Sequence, residues 1–130
     1  MTAYMLDTDI SSYIIKRRPA QLAEKFTKHT DSLCVSVITA AELRFGAEKA
    51  GRPQLVDLVE DFLERLAILD WTDGVSLHYA RTRAALERAG KPIGGMDLLI
   101  ASHAISLRMT LVTNNLKHFS HVPGLKSEAW

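Results

Sequence analysis

Four short apolar runs divide the chain: Ala3-Tyr4-Met5-Leu6, Leu33 to Val37, Ala67-Ile68-Leu69 and Thr110-Leu111-Val112-Thr113. Runs this short, bounded by polar or turn residues and rich in branched side chains, suit strands buried on both faces. The segments between them carry apolar residues at helical spacing. Strands that alternate with helices predict an α/β fold, in which a mainly parallel sheet is flanked by helices.

The helical segments can be placed one by one. The first runs through Ile10, Tyr13 and Ile14. The second begins near Pro19, a favoured first-turn residue, and sets Leu22 and Phe26 on one side. A third extends from Ala40 to the lysines near Gly51. A fourth follows Pro53, with Leu55, Leu58, Val59, Phe62 and Leu66 on one stripe and Asp57, Glu60, Asp61 and Glu64 on a solvated face. The next aligns Val75, Tyr79, Thr82, Leu86 and Ala89 and stops at Gly90. Gly94-Gly95 then introduces Met96 to Leu107, apolar on nearly all sides and so expected at the centre of the molecule. The tail is expected to add a short edge strand.

A chain of 130 residues with 47% hydrophobic and 24% charged side chains can build one core, and it is expected to form one domain over 1–130. Cys34 is the single cysteine, lies in an apolar run and is expected to be a core thiol. No apolar run approaches the roughly 20 residues needed to cross a bilayer. The start, Met1-Thr2-Ala3-Tyr4-Met5, lacks the basic and apolar regions of a signal peptide. These features together predict a cytoplasmic protein with no membrane partner. The net charge of +1 is nearly neutral, so a polyanion would have to be held by a local patch or a metal.

Three acids fall at strand-to-helix joints. Asp7 closes the first run. Glu42 follows the second and is expected in the first turn of the next helix. Asp97 opens the most apolar helix. In open α/β sheets, ligands bind outside the carboxyl ends of the strands, where residues at such joints converge. Each acid also has a structural reading. Thr39 and Glu42 have capping-box spacing, and Asp7 and Asp97 can cap helices or complement their dipoles. Thr8-Asp9, however, can supply capping groups beside Asp7. Asp97 is expected in a buried segment, where an unpaired carboxylate is costly and a cation would relieve it. Hard oxygen ligands without Cys or His partners suit Mg²⁺, or Mn²⁺, over zinc. His118 and His121 are read as surface residues of the C-terminal loop, and His103 as a core histidine.

Four segments then carry a resemblance along essentially the whole chain. They are Met5-Leu6-Asp7-Thr8-Asp9, Ser36 to Gly46 around Ala40-Ala41-Glu42-Leu43, Gly94-Gly95-Met96-Asp97-Leu98-Leu99-Ile100-Ala101, and Leu111 to Phe119 around Thr113-Asn114-Asn115. Together, and in this order, they resemble PIN-domain ribonucleases, specifically VapC-type toxins of bacterial toxin–antitoxin pairs. The resemblance implies a PIN-like three-layer fold with the acids at the carboxyl edge of the sheet. It implies Mg²⁺ or Mn²⁺ held chiefly by Asp7 and Asp97, with Glu42 in or near the coordination sphere. Many PIN domains carry a fourth acid where this chain has Asn115, which is kept as a site residue able to accept a metal bond or orient a water.

These residues and the family pattern predict metal-assisted hydrolysis of a phosphodiester. Glu42 would position or deprotonate the attacking water, while Thr8, Asp9 and Thr113 shape the surroundings of the ligands. Arg44, Arg81, Arg88 and Lys91 are candidates for RNA contact, although ordinary surface charge, including an Arg83–Glu87 helix pair, explains them equally well. The resemblance further implies a structured RNA substrate such as tRNA, with initiator tRNA the narrower choice within it, a homodimer, and neutralisation by a VapB-type antitoxin. Operator DNA would be contacted only through that antitoxin. Two rivals stand beside this reading. One is a haloacid-dehalogenase-like phosphatase using Asp7 and Asp9, and the other is a PIN-like module that binds RNA or protein without cutting.

Overall fold

Strand β1 (Tyr4–Leu6) runs through the middle of a five-stranded parallel sheet in a computed structural model that describes residues 3–130. Met1 and Thr2, part of the start read above for a signal peptide, lie outside the described residues. After β1 come α1 (Thr8–Ile15), α2 (Ala20–His29), a 3-10 turn (Thr30–Ser32), β2 (Leu33–Ser36), α3 (Val37–Ala50), α4 (Pro53–Glu64) and β3 (Ala67–Leu69). Then follow α5 (Asp73–Arg88), α6 (Gly95–Ser106), β4 (Thr110–Val112), α7 (Leu116–Phe119) and β5 (Lys126–Glu128).

The strand order is β3-β2-β1-β4-β5, and every neighbouring pair is parallel. The chain first builds outward from β1 through β2 to β3, then returns to the other side of β1 with β4. The order therefore reverses between β1 and β4, and ligands of open α/β sheets bind in the crevice at that point. Tyr4, Met5 and Leu6 pair with Thr110, Leu111 and Val112, so the two strands end level with each other. The edge strand expected in the tail is β5, paired with β4.

Side chains alternate across the strands and build a core on each face of the sheet. Leu6, Leu33, Val35 and Val112 join Ile10 and Ile14 of α1, Phe26 of α2, Leu43 of α3 and Phe62 of α4. Met5, Cys34 and Leu111 face the other way and join Leu86 of α5, Ile100, Ala101 and Ala104 of α6, and Phe119. This is the expected helix–sheet–helix sandwich. Phe26 and Phe62 stack with centroids 5.1 Å apart. Cys34 is fully buried and its thiol is pushed up to about 12 by burial, so it is the inert core thiol expected.

Three local readings need correction. The second strand stops at Ser36, and α3 starts at Val37, not near Ala40. Ser36 is the cap, accepting a hydrogen bond from the Ile38 amide, so Thr39 lies inside the helix and forms no capping box with Glu42. Leu58 points outward, and Leu63 takes a place in the core instead. The helix after Gly94 is central as expected, with Leu98 and Ile100 to Ala104 buried, yet Met96 and Leu107 at its ends are exposed.

Candidate active site

Asp7 immediately follows β1 and Thr113 immediately follows β4, so both stand at the reversal point. The Asp7 amide extends the pairing by donating to the Val112 carbonyl at 3.0 Å. Asp7 is also the N-cap of α1, since its Oδ1 accepts from the Ile10 amide at 2.8 Å. Its capping reading is therefore correct, and Thr8 and Asp9 do not take over the task. Capping occupies only one side of the carboxylate.

Asp7 is 3% exposed, and its carboxyl is raised to about 6. Burial is the main cause. The Thr113 hydroxyl and the Ile10 amide pull in the other direction, while the charges of Asp9 and Asp97 push further upward. Among the described residues no lysine, arginine or histidine pairs with Asp7. Thr113 is fully buried, and its Oγ1 accepts from the Asn115 amide at 3.0 Å, which shapes the turn after β4. The Asn115 side chain is exposed at the start of α7.

Glu42 lies in the second turn of α3, one turn later than the sequence suggested, because the helix begins earlier. The Thr8 hydroxyl donates to Glu42 Oε1 at 2.7 Å. Thr8 Oγ1 also lies 3.1 Å from Thr39 Oγ1. A hydroxyl has one proton to give, so the order runs from Thr39 to Thr8 to Glu42. That chain locks the first turn of α1 to α3. Thr8, Asp9, Lys16 and Glu42 line a cleft of about 250 Å³ closed by Leu55 and Val59 of α4. A larger cleft of about 420 Å³, lined by Ile14, Arg17, Phe26 and Arg65, holds none of the three acids.

Asp97 sits in the first turn of α6, and its side chain is 43% exposed, not buried as expected. Its Oδ2 lies 3.0 Å from Nε2 of His118 in α7. His118 and His121 are half-buried, and the Nε2 of each is shut off from solvent. Sequence reasoning missed His118. Its signal was position, three residues beyond Asn115 in the segment leaving β4 at the edge that carries Asp7. His103 is a core histidine as expected. Its Nδ1 lies 2.8 Å from Ser36 Oγ, and burial pushes its imidazole below the ordinary range.

The three acids are therefore not equivalent. Asp97 acts electrostatically on Asp7, whereas Glu42 is not among the charges that do. Among the described residues no three His, Cys, Asp or Glu side chains form a ready metal cage. Of the basic candidates, Arg81, Arg88 and Lys91 are exposed. The loop from the end of α5 to Gly95 brings Arg88 and Lys91 toward the start of α6, where Asp97 lies. Arg44 is engaged by Glu60 through two 2.9 Å hydrogen bonds. Glu60, read as part of a solvated stripe, thus has a defined partner. The Arg83–Glu87 helix pair forms as expected.

Comparison with known proteins adds to this geometry. The pattern that defines the PIN domain matches residues 4–125. Ribonuclease VapC2 of Haemophilus influenzae is 45% identical over 100% of this chain and 99% of that protein. The tRNA(fMet)-specific endonuclease VapC of Salmonella typhimurium is 40% identical over the same shares. The fold is similar to a chain in the crystal structure of DNA-bound VapBC from Salmonella typhimurium, with a TM-score of 0.96, 40% identity, and coverage of 100% of this chain and 99% of that one.

Proposed function

The chain belongs to the PIN-domain family of VapC ribonucleases, and on that premise we propose that it is a metal-dependent endoribonuclease toxin. Its substrate class is structured RNA, with tRNA first and initiator tRNA within it, as the name of the Salmonella relative suggests. A VapB-type antitoxin neutralises it, in keeping with the VapBC complex whose toxin-like chain it resembles. Operator DNA is reached through that antitoxin, the toxin pairs as a homodimer, and the work is done in the cytoplasm. One domain spanning 1–130 carries the activity. The phosphatase alternative built on Asp7 and Asp9 gives way to the family assignment.

One observation carries the metal reading: a buried carboxylate, Asp7, stands at the reversal point of the sheet with no cationic partner among the described residues. Two nearby acids raise the cost of its charge further. A divalent cation removes that cost. Among the described residues the acids form no three-residue cage, and Mg²⁺ is commonly held by one or two carboxylates together with waters and substrate phosphates. Asp7 and Asp97 would hold it, and Mn²⁺ satisfies the same oxygens. When bound, the ion supplies charge to offset the phosphate's developing negative charge and a more acidic bound water.

The chain's own residues do the rest. The Ile10 amide fixes the orientation of Asp7, and the Thr113 hydroxyl favours its charged form. Thr8 holds one oxygen of Glu42 and leaves the other to accept a proton from the attacking water. Asn115 marks the rim where many PIN domains carry a fourth acid, and its amide can orient a water there. Asp9 adds negative charge, and Arg81, Arg88 and Lys91 offer the opposite charge to an RNA backbone. Attack by water leaves a 5′-phosphate and a 3′-hydroxyl. The test is to incubate antitoxin-free protein with total tRNA and Mg²⁺ beside the Asp97→Asn variant. Cleavage by the wild type alone supports the proposal, and binding without cleavage favours the non-catalytic module.

A further inference from the structure

His118 of α7 and His121 in the turn after it are a histidine pair that this function leaves unused, and the first of them lies against Asp97. We propose that His118 is a positioning residue of the cation site, its Nε2 edge standing 3.0 Å from Oδ2 of Asp97 and holding that oxygen in place so that the other carboxylate oxygen is left for the ion. The proposal rests on the reading of Asp7 and Asp97 as cation ligands.

His118 is fixed from below. Its ring meets that of Phe119 edge-on, with centroids 5.1 Å apart, and Phe119 is buried in the core beneath α6. The His118 amide donates to the Asn115 carbonyl at 3.1 Å, which seats the residue in the turn leaving β4. Its Nε2 is shut off from solvent and has no aligned hydrogen bond, and the carboxylate oxygen of Asp97 is 3.0 Å away. A bare nitrogen lone pair facing a carboxylate oxygen at that distance is repulsive. An imidazole that carries its proton on Nε2 instead turns a positive N–H edge toward the carboxylate, so the contact holds Asp97 by electrostatics and packing.

Asp97 needs such a partner. Its side chain is 43% exposed in the first turn of α6. Beside it stands Gly94, where even an added Cβ would come no nearer than 4.0 Å to Oδ2. A carboxylate in open space samples several rotamers, and each must be given up when a cation binds. Asp7, in contrast, is already fixed as the cap of α1. The two proposed ligands are thus held by different devices, one by a helix N-terminus and one by a histidine of α7. Partners of this kind typically change metal affinity by about 10- to 100-fold when removed.

The test uses the antitoxin-free full chain and Mn²⁺ as the probe, with affinity read from the electron paramagnetic resonance of free Mn²⁺. His118→Leu fills the space without a donor and should weaken Mn²⁺ binding about 10-fold or more. His118→Gln, which carries an amide N–H at similar reach, should restore most of the affinity. Thermal melts of both variants show that the fold is kept, and His118→Gln still tests the role if the Leu variant does not fold. Unchanged affinity in His118→Leu, or equal loss in both variants, overturns the proposal. Direct ¹⁴N coupling to Mn²⁺ in the wild type also overturns it, since His118 would then be a ligand. Failure of the underlying reading looks different, for then the wild type binds no Mn²⁺ or Asp7→Asn binds it as well as wild type.

Discussion

The Thr8 hydroxyl donates to Glu42 Oε1 at 2.7 Å and ties the first turn of α1 to the second turn of α3. The Thr39 hydroxyl stands behind it at 3.1 Å, so the acid proposed to act on water is held by a two-link chain. Thr8→Val keeps the shape and deletes the donor. A hydrogen bond to a charged group contributes about 1.5–3 kcal/mol, so single-turnover cleavage of tRNA should slow roughly tenfold or more. Thr8→Ser should keep most of the activity, and RNA affinity should not change in either variant.

Asp7→Asn should stabilise the protein measured without divalent metal. Its carboxyl is raised from 3.8 to about 6 in the folded state, so between those values the native protein holds a proton that the unfolded chain has released. Stability from this group is therefore lost as pH rises through that window, and above it the penalty is complete. The shift corresponds to at most about 3 kcal/mol. Asn caps a helix as well as Asp. The stability gain of Asp7→Asn, read by urea denaturation, should be near zero around pH 4 and full above about pH 6.5.

Divalent metal should reverse that order. A ligand bound only by the native state stabilises it by about 2.7 kcal/mol at a hundredfold excess over Kd. Mg²⁺ or Mn²⁺ should raise the Tm of the wild type, while Asp7→Asn and Asp97→Asn show little change. Chelation should return the wild type to its lower Tm.

The basic candidates should separate by their partners. Arg44 is already paired with Glu60 on the surface, and exposed pairs contribute about 0–1 kcal/mol to stability. Arg44→Gln should leave both stability and the salt dependence of tRNA binding nearly unchanged. Arg88→Gln should weaken binding most at low salt and reduce the salt slope by about one phosphate contact.

Much of this architecture was legible because β1 and β4 are apolar runs with acids or hydroxyls directly at their ends. Asp7 and Thr113 needed only the parallel order of the sheet to come together. The start of α3 was harder to see. Val37, Ile38 and Thr39 are β-branched and continue the apolar run, while the capping hydroxyl of Ser36 that ends the strand is hidden inside it. This displaced Glu42 by a turn and made Thr39 look like a cap. Asp97 was misjudged for another reason. The helix around it is apolar on nearly all sides, but its first turn projects beyond the sheet edge and leaves the carboxylate half in solvent. The His118 contact depends on how a four-residue helix settles after β4, which no local pattern encodes.

The most direct test of the account is end-group analysis of tRNA cut by the antitoxin-free protein, with and without Mg²⁺, beside Asp7→Asn. Mg²⁺-dependent fragments bearing 5′-phosphate and 3′-hydroxyl ends are expected from the wild type and not from the variant. Fragments ending in a 2′,3′-cyclic phosphate, or undiminished cleavage by Asp7→Asn or in the presence of chelator, would contradict it.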